Sequence, residues 1–103
     1  MQPQGHIQML TSLIDFHVDP QTAICLPRYC MDHHKGVVYV ECTFDGTVVE
    51  ELKGMGHNVV VVSGCDRTVF GGAQIIQLRT DGAGRRVLWA GTESRQDGCA
   101  LGY

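Results

Sequence analysis

The chain has 103 residues, a formal net charge of −3, an apolar fraction of 44 % and a charged fraction of 18 %, which predict one globular domain or part of one rather than a disordered segment. Its lysines and arginines are scattered along the sequence, so no basic stripe for nucleic acid is expected. Apolar runs such as residues 59–62 are far shorter than the roughly 20 residues of a membrane-spanning helix, and no secretory signal pattern is recognised.

The first predicted element is a helix over residues 4–17, because Ile7, Leu10 and Ile14 recur at helical spacing. Further apolar residues widen this face, so we expect a core helix that is covered on more than one side. Pro3 suits the first turn, where a backbone N–H donor is not needed.

A second, shorter helix is predicted to begin at Pro20 and to continue to about Cys25. Asp19 stands where a helix N-cap belongs, and Pro27 ends the helix. The following residues 29–36 have no hydrophobic period and are expected to form a solvated loop.

Residues 37–42 alternate and are rich in β-branched side chains, which predicts a strand. Asp45 is then expected to cap a third helix, with Gly54 or Gly56 providing a left-handed exit. The residues of this helix expected to point inward are Val48, Val49 and Leu52.

The continuous apolar run at residues 59–62 predicts a strand that is covered on both faces. Residues 73–79 and 86–91 are predicted to form a hairpin, because the Asp81-Gly82 step between them is a strong turn signal. The whole order is α-α-β-α-β-β-β, with no repeat or linker, and some apolar surface is expected to stay exposed.

Three sequence blocks, residues 2–8, 19–28 and 91–103, resemble the carboxyl-terminal part of the small subunit of the γ-glutamyltransferase (γ-glutamyltranspeptidase, glutathione hydrolase) family. The resemblance extends over residues 1–103 and implies an incomplete domain of α/β (α+β) class, part of the αββα sandwich of an N-terminal nucleophile hydrolase. The parent family is usually extracellular or periplasmic. Two departures are Gly46, where the family usually has proline, and Ser94, where a proline is usual before Arg95.

In that family a threonine with a free α-amine attacks the γ-glutamyl carbonyl, and two glycine amides bind the oxyanion. The resemblance places both features before Met1, so it implies no catalytic, substrate-binding or metal-binding residue and no cofactor in this chain. Met1, Gln2 and Pro3 would flank the site by placement only. The Gln-Pro-Gln-Gly-His block does not imply glutathione as the substrate.

Other residues carry side chains whose chemistry could form a site. Cys30, Asp32, His33 and His34 are zinc-type ligands, but adjacent histidines on a loop rarely bind one ion, and no second ligand pair occurs. Cys65, with His57 nearby in sequence, could be a nucleophile or a simple turn thiol. The odd set of five cysteines without a Cys-x-x-Cys pair predicts free, mostly buried thiols.

Glycine, histidine and arginine residues complete the candidates. The Gly71-Gly72 pair precedes a strand, which favours close backbone approach over a phosphate cradle. His6 and His17, eleven residues apart, could share one face of the first helix without touching, but each is expected to be a histidine of the helix surface or core edge. Arg28, and Arg95 with Asp97, are expected to form ion pairs or bind carbonyls.

Three hypotheses follow for the function. The first is an inactive carboxyl-terminal portion of a γ-glutamyltransferase-like hydrolase, whose partner is the missing amino-terminal part of the same enzyme. The second is a separately encoded subunit that completes an active site with a complementing chain. The third, an independent cysteine or zinc enzyme, has the weakest support. Neither nucleic acid nor a membrane is an expected partner.

Overall fold

The structure, a computed structural model, describes residues 1–102. These residues form two compact units. The first unit combines Met1–His6 with Pro27–Gly71, and the second combines Ile7–Leu26 with the chain from Gly72 onward. Helix α1 (Gln2–Ile14) contributes its first residues to the first unit and the rest to the second.

The first unit contains a three-stranded sheet in the order β1-β2-β3, formed by Tyr29–Asp32, Val37–Glu41 and Asn58–Val62. Strands β1 and β2 are antiparallel, whereas β2 and β3 are parallel and are connected through helix α3 (Gly46–Gly54). A 3₁₀ helix, Gly64–Phe70, follows β3. Val40 and Phe70 are almost fully buried and form part of the core.

Strand β1 corrects the expectation of a solvated loop over residues 29–36. The loop is limited to residues 33–36, where the Asp32 carboxylate accepts hydrogen bonds from the N–H groups of His34 (3.0 Å) and Lys35 (3.1 Å). Gly36 then has a φ of 64°, a left-handed value that glycine adopts without strain. The polar cluster is therefore the tip of a β1–β2 hairpin, and the observed order is α-α-β-β-α-β-β-β.

Helix α3 confirms the predicted cap and exit. The Asp45 carboxylate accepts a hydrogen bond from the Thr47 N–H (2.9 Å), and Gly56 has a φ of 96° just after the helix. The expected inward face is correct for Val49, which is 7 % exposed, and wrong for Val48, which is 40 % exposed. Leu52 is half-buried.

Two expectations of burial were wrong in the described chain. Helix α1 begins at Gln2 and ends at Ile14, and Met9 is its only buried residue. The periodic apolar residues Ile7, Leu10 and Ile14 are all more than half exposed. Strand β3 lies at a sheet edge, and Val60 and Val61 are exposed rather than covered on both faces.

The second unit is built on the antiparallel hairpin of β4 (Gln74–Thr80) and β5 (Arg86–Thr92), which confirms the prediction. At its turn the Asp81 carboxylate accepts hydrogen bonds from the N–H groups of Ala83 (2.9 Å) and Arg85 (2.8 Å). Helix α2 (Pro20–Cys25) packs on the hairpin, and its residues Ala23 and Ile24 are completely buried.

Candidate functional site

The amino-terminal end of α1 is the part of the chain that the family resemblance places beside an active site. Gln2 is the first helical residue, Pro3 lies in the first turn, and the Gly5 N–H donates to the Met1 carbonyl (2.9 Å). Gln2 and Pro3 are exposed, whereas Met1 is half-buried. The first turn has no acidic residue, so the positive end of the helix dipole is not neutralised by its own side chains.

Gln4 connects this first turn to strand β1. Its side-chain Nε2 donates to the Met31 carbonyl (3.0 Å), and its Oε1 accepts from the Met31 N–H (2.8 Å). Met31 is paired on its other side with Val38 of β2. The side-chain amide of Gln4 therefore acts as a neighbouring strand would at the outer edge of β1.

Met1 provides a second contact of the helix end within the first unit. A Cβ atom placed on Gly71 would lie 3.9 Å from Met1 Cγ, and one placed on Gly5 would lie 3.6 Å from Met1 Cε. These are ordinary van der Waals distances, so the methionine side chain lies against both glycines. Gly71 has a φ of 75°.

Arg28 binds the same segment at Phe70 and Gly71. Its Nη1 donates to the carbonyls of Gly71 (3.2 Å) and Phe70 (3.5 Å), and its backbone N–H donates to Glu41 Oε2 (2.8 Å). Both Arg28 and Glu41 are buried. The prediction that Arg28 binds carbonyls is confirmed, whereas the role of Glu41 as a buried acceptor at the end of β2 was not predicted.

Arg95 makes the corresponding network in the second unit. Its guanidinium donates to the carbonyls of Ile24 (2.8 Å) and Leu26 (3.0 Å), where α2 ends, and to Glu93 Oε1 (2.8 Å). The binding of carbonyls was predicted, but the ion-pair partner is Glu93 rather than Asp97. Glu93 is buried and also accepts from the Ala73 N–H (2.9 Å). Cationic groups at the carboxyl end of a helix donate hydrogen bonds to the carbonyls that lack a partner within the helix, and they interact favourably with the negative end of the helix dipole.

The structure does not bring the zinc-type residues together. Among residues 1–102, no group of three or more His, Cys, Asp and Glu side chains could hold a metal ion. Cys30 is buried in β1. The pKa of Asp32 is lowered, mainly by the hydrogen bond from the Lys35 N–H and to a smaller extent by the hydrogen bond from the His34 N–H. The rings of His33 and His34 lie against each other, with centroids 4.0 Å apart.

The remaining candidates also have structural explanations. All five cysteines are free thiols, but only Cys30 is buried, so the expectation of mostly buried thiols was wrong. Cys65 is exposed on the 3₁₀ helix. His17 lies beyond the end of α1 with a φ of 54°, so it does not share a helix face with His6. A Cβ on Gly72 would lie 2.5 Å from Gln96 Oε1, which agrees with close approach at this glycine.

The fold is of the α+β class, and its structural neighbours include N-terminal nucleophile hydrolases of the γ-glutamyltranspeptidase family. The family model described as gamma-glutamyltranspeptidase matches residues 1–103. The chain therefore belongs to the γ-glutamyltranspeptidase family. Among residues 1–102, no helix has both the length and the apolar character that spanning a membrane would need.

Three known proteins illustrate the similarity. The chain is 33 % identical to the glutathione hydrolase-like YwrD proenzyme of Bacillus subtilis, with 98 % of the chain and 19 % of that protein covered. It is 38 % identical to a cephalosporin acylase from Bacillus halodurans, with a TM-score of 0.80, covering 98 % of the chain and 18 % of the acylase. A mutant Helicobacter pylori γ-glutamyltranspeptidase shares the fold, with a TM-score of 0.77 and 22 % identity, covering 90 % of the chain and 47 % of the transpeptidase chain. The chain thus spans about a fifth of the length of the first two.

Proposed function

We propose that these residues form the structural carboxyl-terminal portion of a γ-glutamyltransferase-like N-terminal nucleophile hydrolase. In this enzyme a threonine and an oxyanion-binding glycine pair come from sequence outside the chain. The observation that carries the proposal is the family match over residues 1–103, combined with coverage of only 19 % of the Bacillus subtilis relative.

The proposed reaction is transfer of a γ-glutamyl group. The threonine hydroxyl attacks the γ-glutamyl carbonyl while the threonine α-amine takes its proton, and two backbone amides stabilise the resulting oxyanion. The leaving amine departs with a proton, and water or an acceptor amine then releases the acyl group. Met1, Gln2 and Pro3 flank the site in this proposal, where the positive end of α1 favours developing negative charge.

Exposed apolar side chains support the need for further protein around the chain. Ile76, Leu78 and Leu88 are each more than half exposed, and the β4–β5 register places Leu78 opposite Leu88. The exposed apolar residues of α1 form a second such surface. Contiguous apolar surfaces of this kind usually contact other protein.

A fusion experiment tests the proposal. The 103 residues replace the matching fifth of the Bacillus subtilis relative, and hydrolysis of a γ-glutamyl anilide is measured for the chimera and for the 103-residue chain alone. We expect turnover by the chimera and none above the blank by the chain. A covalent glutamyl adduct on the isolated chain, or a correctly folded chimera without turnover, would contradict the proposal. A cephalosporin belongs in the substrate panel because one structural relative is a cephalosporin acylase.

The second candidate function is a separately encoded subunit, and the exposed apolar face of α1 favours it. In this case the 103-residue chain, added as a separate polypeptide to the relative without its matching fifth, should restore turnover. Native mass spectrometry should show a stable complex of the two. Activity that appears only in the covalent chimera argues for the first proposal.

A further inference from the structure

We propose that Gln4 is a positioning residue that fixes the amino-terminal end of α1 on the β1–β2–β3 sheet and thereby sets the rate of acyl transfer without touching the substrate. This inference rests on the proposed function, since the rate concerns the assembled enzyme. The geometry of Gln4 itself is independent of that function.

The two hydrogen bonds of Gln4 fix direction as well as distance. A side-chain amide has a donor and an acceptor in one plane, as a peptide group has, so donation at 3.0 Å and acceptance at 2.8 Å with the same residue hold both groups in one orientation. Met31 lies opposite Val38 in the antiparallel β1–β2 ladder, and its neighbours Cys30 and Asp32 pair with Tyr39 and Val37. A displacement of the first turn of α1 along or away from β1 breaks at least one of these bonds.

The attachment lies at the point where a small displacement matters most. Gln4 is two residues from Gln2, the first residue of the helix, and one residue from Pro3. Gln2 and Pro3 are exposed, and within residues 1–102 neither makes a side-chain hydrogen bond that could orient it independently. Met1 lies against Gly71, but that contact is apolar and does not fix direction. The reciprocal hydrogen bonds of the Gln4 side-chain amide therefore fix the orientation of the helix end directly.

A matched control exists in the second unit. Gln21 lies in the first turn of α2, directly after a proline, and its side chain makes the same reciprocal pair with Thr92: Nε2 donates to the carbonyl (3.1 Å) and Oε1 accepts from the N–H (3.0 Å). Gln4→Met and Gln21→Met each remove this reciprocal pair with little change in side-chain length, and Gln21→Met also removes the hydrogen bond from Gln21 Nε2 to Cys25 Sγ (3.3 Å). Only Gln4 is attached to the helix end that flanks the proposed site.

The test compares both variants in the active chimera, with steady-state kinetics and thermal unfolding. We expect Gln4→Met to lower kcat about tenfold with KM changed less than about twofold, because sub-ångström misplacement of reacting groups is costly. Gln21→Met should lower the unfolding temperature by about as much as Gln4→Met does, and it should leave kcat within about twofold of the parent. Equal loss of kcat in both variants, or an unchanged kcat in Gln4→Met, would overturn the inference.

Amide hydrogen exchange separates this inference from the proposed function. In the 103-residue chain and in the chimera, Gln4→Met should accelerate exchange of the Met31 N–H at least about tenfold, since its acceptor is lost. Unchanged exchange overturns the positioning role whether or not the chimera is active. A folded chimera that is inactive before any substitution refutes the proposed function, and the claim about rate falls with it.

Discussion

Removal of one partner of the buried Glu93–Arg95 ion pair is the most informative perturbation of the second unit. The two side chains are 0 % and 3 % exposed and approach to 2.8 Å. The Glu93 carboxylate also accepts the N–H groups of Ala73 (2.9 Å) and Arg95 (3.0 Å). Glu93→Ala therefore leaves a buried guanidinium with carbonyl partners but without its anion.

The magnitude follows from the geometry and burial of the pair. At 2.8 Å and an effective dielectric constant of about 20, the gross attraction is about 6 kcal/mol. Much of it offsets the desolvation of the two charges, so loss of one partner is expected to cost about 3–5 kcal/mol. The double variant Glu93→Ala, Arg95→Ala leaves no unpaired charge and should cost about as much as either single variant. The expected coupling, the sum of the two single costs less the cost of the double variant, is therefore about 3–5 kcal/mol.

A double-mutant cycle measures this coupling through urea unfolding. Trp89, the only tryptophan of the chain, lies in β5, and Arg79 lies 4.6 Å over its ring, so its fluorescence reports on the hairpin. The control is the pair Asp81–Arg85 at the hairpin turn, in which Arg85 is exposed and Asp81 half-buried, with a separation of 3.3 Å; its coupling should be below about 1 kcal/mol. Additive costs for Glu93 and Arg95, or equal coupling for the two pairs, would refute the reasoning.

Two further predictions concern α2 and its packing on the hairpin. Gly91→Ala places a Cβ 2.8 Å from the carbonyl carbon of Pro20, a backbone atom that cannot move away, so urea unfolding should show a loss of about 1–3 kcal/mol. Gly82→Ala, which meets no atom within 4 Å, should change stability by less than about 0.5 kcal/mol. The hydrogen bond from the Thr22 hydroxyl, and to a smaller extent that from the Thr22 N–H, lowers the pKa of Asp19 below 3.8. The ionised Asp19 carboxylate therefore stabilises α2 fully above pH 3.8, and this stabilisation is lost as the pH falls through the lowered pKa. Asp19→Asn should therefore flatten the acid limb of thermal unfolding below about pH 4, and an unchanged limb in the variant would contradict the assignment.

Local signals in the sequence predicted most of the secondary structure. Asp19 and Asp45 mark the helix starts because their carboxylates accept backbone N–H groups within the next three residues. The Asp81-Gly82 step marks the hairpin for the same local reason. The strand β1 was missed because its four residues, Tyr29–Asp32, carry no clear alternation, and its pairing with β2 depends on residues after the turn.

Burial was predicted less well, for a different physical reason. The periodicity of Ile7, Leu10 and Ile14 indicates which side of α1 is apolar. It does not indicate whether the residues that cover this side belong to the same chain. The continuous valines of β3 carry the same ambiguity, and Val61 is 50 % exposed at the sheet edge. Hydrophobic patterns therefore predicted where contacts are needed, while the structure shows which contacts the described residues supply.

The residues of the Arg28 and Arg95 networks were only partly predictable. Arg28 and Arg95 could be singled out because both lie in the sequence blocks that carry the family resemblance, and guanidinium groups commonly form ion pairs or bind carbonyls. Glu41 and Glu93, which accept backbone N–H groups distant in sequence, could not, since nothing local in the sequence distinguishes them from exposed glutamates. The ion-pair partner of Arg95 could not be predicted from the sequence either, because Glu93 and Asp97 are both two residues away from it.

A repeated dipeptide carried a signal that propensity alone does not reveal. Pro3-Gln4 and Pro20-Gln21 each lie in the first turn of a helix, and each glutamine side chain forms reciprocal hydrogen bonds with one strand residue, Met31 or Thr92. The proline favours the helix start because no N–H donor is needed there. The glutamine then fixes that start to a strand by imitating a peptide group. A proline–glutamine step at a predicted helix start is thus a sequence feature from which a helix-to-strand attachment can be predicted and tested.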